Sequence, residues 1–251
     1  MKIGIVGRGH VGTTMCSLFP EAAVYDGPLG IGCKEEINAC DVAFVCVPTP
    51  MAADGSCDTA IVEDILHWIE AKTVVLRSTV PVGFTDRMME ETGKHIVFQP
   101  EYYGETVNHP FADPMARSWI TLGGRREDLG PVVRVYQQVF TSNVIIHQVD
   151  AKTAELAKYM ENCFLAAKVT FCNEFFDLAQ ALGVDYTDLR ETWLLDPRIG
   201  RSHTFVYPDK RGFSGSCLPK DLSAMIDQAE KAGADPALLK AIREKNKEYQ
   251  P

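Results

Sequence analysis

Short apolar runs rich in β-branched residues recur through the first part of the chain. "KIGIVG", "AAVYD", "VAFVCVP", "TVVLRSTV", "HIVFQP" and "VIIHQ" are predicted as strands. Several are apolar without alternation, as expected of strands buried on both faces of a parallel sheet. Amphipathic stretches such as "DTAIVEDILHWIEA" and "REDLGPVVRVYQQVF" lie between them and are predicted as helices. Strand, helix and strand in succession predict βαβ units and a doubly wound, Rossmann-like α/β fold. The pattern changes near Gln148. From "DAKTAELAKYMENCFLAAKVTFCNEFFDLAQALG" onward, apolar residues fall at three- and four-residue spacing, on more than one helix face. So long a two-faced helix is expected to cover its second face with a partner or another domain. "VDYTDLRETWLL", "KDLSAMIDQAEKAG" and "DPALLKAIREKNKEY" predict further helices, and "DPRIGRSHTFVYPDKRGFSGS" predicts a loop. The expected organisation is an α/β domain over residues 1–147 and an all-α domain over 148–251.

Composition narrows the class. The chain has 251 residues, 46% hydrophobic and 24% charged, which suits one large or two modest globular cores. A net charge of -9 argues against nucleic acid as a partner, because phosphate neutralisation needs clustered Lys and Arg. A small anionic ligand needs only a few local donors and stays open. Glycines break "MKIGIVGRGHVG" too early for a signal peptide, and no apolar run approaches the roughly 20 residues of a membrane span. A cytoplasmic protein without membrane contact is expected. The 8 cysteines are scattered, with no CxxC pair and no His/Cys cluster, so reduced core cysteines and no metal site are expected.

"GRGHVG" places Gly7, Gly9 and Gly12 in GxGxxG spacing directly after the first strand. The first glycine makes a tight turn, the second admits a pyrophosphate, and the third lets helix and strand approach. The helix start adds amide donors and the positive end of its dipole. Asp26 ends the second strand about 20 residues on, placed to accept from a ribose 2′-hydroxyl, which favours NAD over NADP. Asp26-Gly27 as a simple turn is the competing reading. His10 within the loop reads by itself as a solvent-facing filler.

Cys217 follows Gly215-Ser216 and precedes a helix, with Lys220 and Asp221 adding charge nearby. A helix start favours a thiolate. Its surroundings fit two readings equally, a nucleophile or a small residue filling a glycine turn.

Ordered segments then carry a resemblance. "GRGHVG", "VPTPMAADGSCDTAIV", "STVPVG", "PEYYGE", "AELAKYMENCFLAAKVTFCNE", "DPRIG" and "GFSGSCLPKD" resemble, in order, the motifs of the nucleotide-sugar 6-dehydrogenase family. The resemblance implies NAD as cofactor, held by Gly7, Gly9, His10, Val11, Gly12, Asp26, Pro48, Thr49, Thr79 and Glu105. It implies a four-electron oxidation of the sugar C6 alcohol to a carboxylate. Cys217 would be the nucleophile and would pass through a thiohemiacetal and a thioester. Lys158 and Asn162 would face the developing oxyanion. Asp221 would position water with Thr79 in its network, and Glu101 would be the base for hydrolysis. Sugar contacts would come from Glu101, Tyr102, Tyr103, Lys158, Asn162, Phe213 and Gly215. Arg198 would cross the interface of a homodimer to reach substrate. By their residue types alone, Lys158 and Asn162 also fit a solvated helix stripe, Glu101 a loop cap and Arg198 an ordinary loop salt bridge.

The pattern also departs from the family. A further nucleotide-sugar-binding domain is expected to be absent after "ALLKAIREKNKEYQP". Its loss would weaken use of UDP-sugars, since remote binding energy supports the chemical step. Ser214 stands where the family carries a glycine, and its Cβ is expected to narrow the loop or exclude a left-handed backbone. "PEYYGET" differs from the family's segment at several positions. The best reading is a nucleotide-sugar 6-dehydrogenase acting on UDP-glucose or a relative. The alternatives are an NAD-dependent dehydrogenase of a smaller sugar or hydroxy acid, and a non-catalytic NAD-binding module.

Overall fold

The structure is a computed structural model, and it describes residues 1–102, 113–140 and 144–250. The chain divides into two compact units, one of residues 1–50 and 58–158, the other of residues 51–57 and 159–251.

The first unit is built on β1 (Ile3–Val6), β2 (Ala23–Tyr25), β3 (Val42–Val45), β4 (Thr73–Leu76), β5 (Ile96–Phe98), β6 (Trp119–Gly123) and β7 (Ile145–Val149). They form one sheet in the order β2-β1-β3-β4-β5-β6-β7. The first five are parallel, as βαβ succession predicts. β6 pairs antiparallel with β5 at Phe98 and Gly123, and β7 runs parallel to β6. The sheet is therefore mostly parallel, with a reversed pair at one edge. The expected strands all form, several shorter than the apolar run that announced them. β6 is an addition, and so are the short helices α2 (Lys34–Asn38) and α4 (Phe84–Thr92). α1 (His10–Leu18), α3 (Ala60–Trp68) and α5 (Arg126–Tyr136) complete the cover.

The apolar runs resolve into alternate faces. Val42, Phe44 and Val75 join one core with Met15 and Leu18 of α1 and Val132 and Tyr136 of α5. Ala43, Val45, Val74 and Leu76 join the other with Ile37 of α2, Leu66 of α3 and Met88 of α4. Neighbouring residues of one strand point to opposite faces, and both faces are covered.

α6 (Ala151–Leu182) begins in the first unit and ends in the second. Its 32 residues correspond to about 48 Å of helix. α7 (Tyr186–Trp193), α8 (Leu218–Lys231) and α9 (Ala237–Tyr249) make up the rest of the helical unit. Cys163, Ala166 and Val169 of α6 pack there with Phe213, Leu222, Ile226 and Ile242. Residues 51–57, which connect β3 to α3, fold with this unit and close on themselves through a Met51–Cys57 bridge. Among the described residues no helix is long and apolar enough to cross a membrane.

Candidate functional site

The glycine turn of the first unit has the geometry its spacing predicts. Gly7 lies at φ +89°, and a Cβ there would stand 2.7 Å from the Cys46 carbonyl oxygen. A Cβ on Gly12 would come within 1.9 Å of the Gly7 carbonyl oxygen. A Cβ on Gly9 would meet nothing within 4 Å. The first and third glycines are thus required by packing, and the second faces open space, where a pyrophosphate approaches in this motif. α1 starts there, so its first amides face the same space. His10 is exposed, its carbonyl accepting from the Thr14 hydroxyl at 3.0 Å; Val11 is half-buried.

Asp26 closes the turn from the side. Its Oδ2 accepts from the Arg8 amide at 2.7 Å and its Oδ1 from the Leu29 amide at 3.1 Å. Both are single bonds to oxygens with two lone pairs, so the carboxylate still has acceptor positions for a ribose. After β3 and β4 the chain is tied across: Ser78 Oγ donates to the Val47 carbonyl at 2.6 Å, and Thr49 Oγ1 to the Thr79 carbonyl at 2.8 Å. This brings Pro48, Thr49 and Thr79 to one end of the parallel strands. The residues present fit a dinucleotide. Glu105, like Tyr103, lies outside the described residues.

The first unit also holds a buried charged cluster. Glu101 forms an ion pair with Arg77, whose side chain is fully buried, and lies 3.9 Å from Arg117. The Tyr102 ring has the Lys158 Nζ 4.8 Å from its centre and the Arg117 guanidinium 5.4 Å away. Lys158 is 8% exposed, so it is no part of a solvated stripe. Glu155, one turn earlier on α6, is fully buried. It accepts from the Gly83 amide at 2.6 Å and the Thr85 amide at 2.9 Å, capping α4. Burial pushes its carboxyl above the usual glutamate range, against the lowering by those bonds.

In the second unit the cysteine motif starts α8. Cys217 is the N-cap residue. It is the one exposed cysteine among the described residues, with Ser216 Oγ 3.6 Å from its sulfur. One turn on, Asp221 is 1% exposed. It takes a bond from Asn162 Nδ2 at 2.5 Å on one oxygen and from Lys220 Nζ at 2.6 Å on the other. Asn162 is itself buried on α6. Cys163 beside it differs from Cys217: burial, with the Asp221 charge adding, pushes its thiol up to about 12. The expectation of strain at Ser214 is corrected. The left-handed positions of this loop are Gly212 and Gly215, and Ser214 does not have a positive φ. Phe213 is buried in the helical core. Arg198 is exposed and held by Asp196 through Nε at 3.0 Å.

Each unit therefore assembles part of the expected set. Thr79, Glu101, Tyr102 and Lys158 belong to the first; Asn162, Cys217 and Asp221 belong to the second. The sequence reading passed over Arg77, Arg117 and, as a site residue, Lys220. Arg77 had a signal, since an arginine inside the apolar run "TVVLRSTV" needs a buried partner. Arg117 had none.

Comparison with known proteins agrees with both units. Residues 21–142 match the NAD binding domain of the UDP-glucose/GDP-mannose dehydrogenase family, and residues 152–248 match its central domain. The chain is 31% identical to UDP-glucose 6-dehydrogenase of Pseudomonas aeruginosa, over 98% of this chain and 65% of that protein. It is 30% identical to UDP-glucose 6-dehydrogenase TuaD of Bacillus subtilis, over 84% of this chain and 47% of the relative. The chain thus spans about half to two thirds of the length of these curated relatives. A UDP-glucose dehydrogenase from the hyperthermophilic archaeon Pyrobaculum islandicum superimposes with a TM-score of 0.84 at 29% identity, covering 98% of this chain and 68% of that one. NAD is the cofactor that the fitted glycine turn and the matched domain imply. With both domain matches and the motifs in order, the chain belongs to the UDP-glucose/GDP-mannose dehydrogenase family.

Proposed function

We propose that this chain carries the NAD-binding and catalytic parts of a nucleotide-sugar 6-dehydrogenase that oxidises UDP-glucose to the uronic acid. One observation carries this reading. Asp221 is buried and held by Asn162 and Lys220 one turn into the helix that opens with the exposed Cys217. A turn-filling cysteine needs no such company. The domains meant are residues 1–147 for cofactor and 148–251 for the cysteine chemistry.

NAD+, when bound, accepts a hydride in each of the two oxidations. The first oxidation converts the C6 alcohol to an aldehyde and releases a proton. The Cys217 thiolate adds to that aldehyde, forming a C–S bond and a thiohemiacetal oxyanion. The Lys158 ammonium and the second N–H of Asn162 stabilise this oxygen. The second oxidation of the same carbon would remove a hydride from the thiohemiacetal and leave the thioester on Cys217. Water, oriented by Asp221 and Thr79, then adds to the carbonyl. The C–S bond breaks, the thiolate returns and a carboxylate forms, with release of two protons from the water. Glu101 would serve this last step from its ion pair with Arg77. Asp26 would accept from the ribose and set the preference for NAD over NADP.

A homodimer belongs to the same proposal. Met160, Phe164, Phe171, Phe175 and Leu178 leave large apolar surface exposed along α6, at spacings of three, four and seven residues. A second copy of this chain would cover such a stripe and bring Arg198 toward the neighbouring site.

The test is NADH release by the purified protein with NAD+ and UDP-glucose. Two NADH per sugar is the expected outcome. One NADH per sugar, with aldehyde released, would refute the thioester route.

A further inference from the structure

The loop that delivers Cys217 is held by side chains that the proposed chemistry does not use. Phe213 is 5% exposed, so its backbone N–H and carbonyl need protein partners. Both partners come from one side chain on α9. Asn246 Oδ1 accepts from the Phe213 amide at 2.8 Å, and Asn246 Nδ2 donates to the Phe213 carbonyl at 2.9 Å. Gln250 Nε2 reinforces the second half, donating to the Arg211 carbonyl at 3.0 Å and the Phe213 carbonyl at 3.2 Å. Asn173 of α6 accepts from Arg211 Nε at 2.6 Å and from the Gly212 amide at 3.2 Å.

The approach is close. Gly212 lies at φ +68°, and a Cβ there would stand 2.4 Å from Asn246 Oδ1. Asn246 is itself only 8% exposed. Three residues, Ser214 to Ser216, then span from this anchor to Cys217 at the start of α8. A bridge that short has its path set by its two ends. One end is the α8 helix, and the other is Phe213.

We propose that Asn246 is a positioning residue for Cys217, acting through the backbone of Phe213 to set where the thiol is presented. The inference rests on the reading of Cys217 as the nucleophile. Asn246 touches no reacting atom, and its effect is on geometry. Misplacing a reacting group by about 1 Å can cost of order a hundredfold in rate.

The test compares Asn246→Ala, Gln250→Ala and the exposed control Lys247→Ala in the full chain. Two quantities are read: kcat and KM with NAD+ and UDP-glucose, and the rate of Cys217 alkylation by iodoacetamide, followed by peptide mass. Asn246→Ala is expected to lower kcat by about tenfold or more with NAD+ affinity unchanged. It should also change the alkylation rate by about threefold or more, because Cys217 is already exposed and a loosened loop alters how its sulfur is presented rather than whether solvent reaches it. Gln250→Ala keeps the Phe213 N–H bond and moves both quantities less. Lys247→Ala moves neither. The inference is overturned if Asn246→Ala matches wild type in kcat and alkylation. It is equally overturned if that variant only melts earlier, with both rates normal at low temperature. Should the wild-type protein release no NADH, the dehydrogenase reading fails, and the alkylation comparison alone decides whether Asn246 controls the loop.

Discussion

Two loops of this molecule do similar work by different means. The Gly7–Gly12 turn and the Arg211–Cys217 loop both deliver the chain to a helix start. The first sits at the end of a covered parallel sheet and is shaped by backbone meeting backbone, Gly12 against the Gly7 carbonyl. No side chain caps α1. The second lies among helices that offer no sheet to lean on. It is tied by asparagine and glutamine side chains to backbone groups 33 to 39 residues away. A sheet edge imposes its geometry on the turn that leaves it, whereas a helical unit has to hold its loops with individual bonds.

The largest expected effect strikes what the second loop carries. Cys217→Ser should lower acid production by more than about a thousandfold, measured as NADH per sugar. Continued release of two NADH would remove the reason for holding the loop so firmly. The next effect separates the two loops. Gly12→Ala sets a methyl into a backbone carbonyl and should cost about 2–3 kcal/mol of stability, read by thermal unfolding. Gly212→Ala meets the side chains of Asn246, Gln250 and Tyr249 rather than backbone, so its cost should be smaller, about 1–2 kcal/mol from the left-handed backbone. If Gly212→Ala proved the more damaging, side-chain ties would be as stiff as backbone packing. Gly9→Ala is the mild member of the series. It should leave stability within about 0.5 kcal/mol and weaken NAD+ binding, measured by titration.

A third helix start lies between these extremes. α4 is capped by Glu155, whose carboxyl burial holds above its ordinary value. A raised folded-state pKa means that the folded state favours the protonated form. That contribution to stability is complete below the ordinary value of 4.5 and is lost as pH rises through the raised one. Glu155→Gln should flatten this fall in unfolding free energy, measured by denaturant titration across pH. A slope identical to wild type would assign the pH dependence elsewhere.

Legibility followed locality. The GxGxxG turn, the five parallel strands and α6 announce themselves within a few residues, because period and spacing are local properties. β6 was invisible although Trp119–Gly123 is as long as any strand of the sheet, because Thr121 interrupts its apolar residues and it ends in glycine. α4 is polar overall and owes its start to Glu155, far along the chain. Cys217 and Asp221 could be nominated from their motif. Nothing in the sequence said that Asn246 would grip Phe213, because no spacing rule links positions on separate helices. Arg77 shows the intermediate case, a charge in an apolar run that signals a partner without naming Glu101.

The excursion of residues 51–57 into the helical unit has a consequence for synthesis. The chain passes from one unit to the other three times, so no single cut separates them. A fragment beginning at residue 159 lacks a piece of its own unit, and a fragment ending at residue 158 keeps that piece without its partners. On a ribosome, every strand of the sheet is made by Val149, yet the residues of α8 and α9 that line a cavity with the connection after β3 are made much later. The last helices therefore complete a structure whose first part was laid down near residue 51.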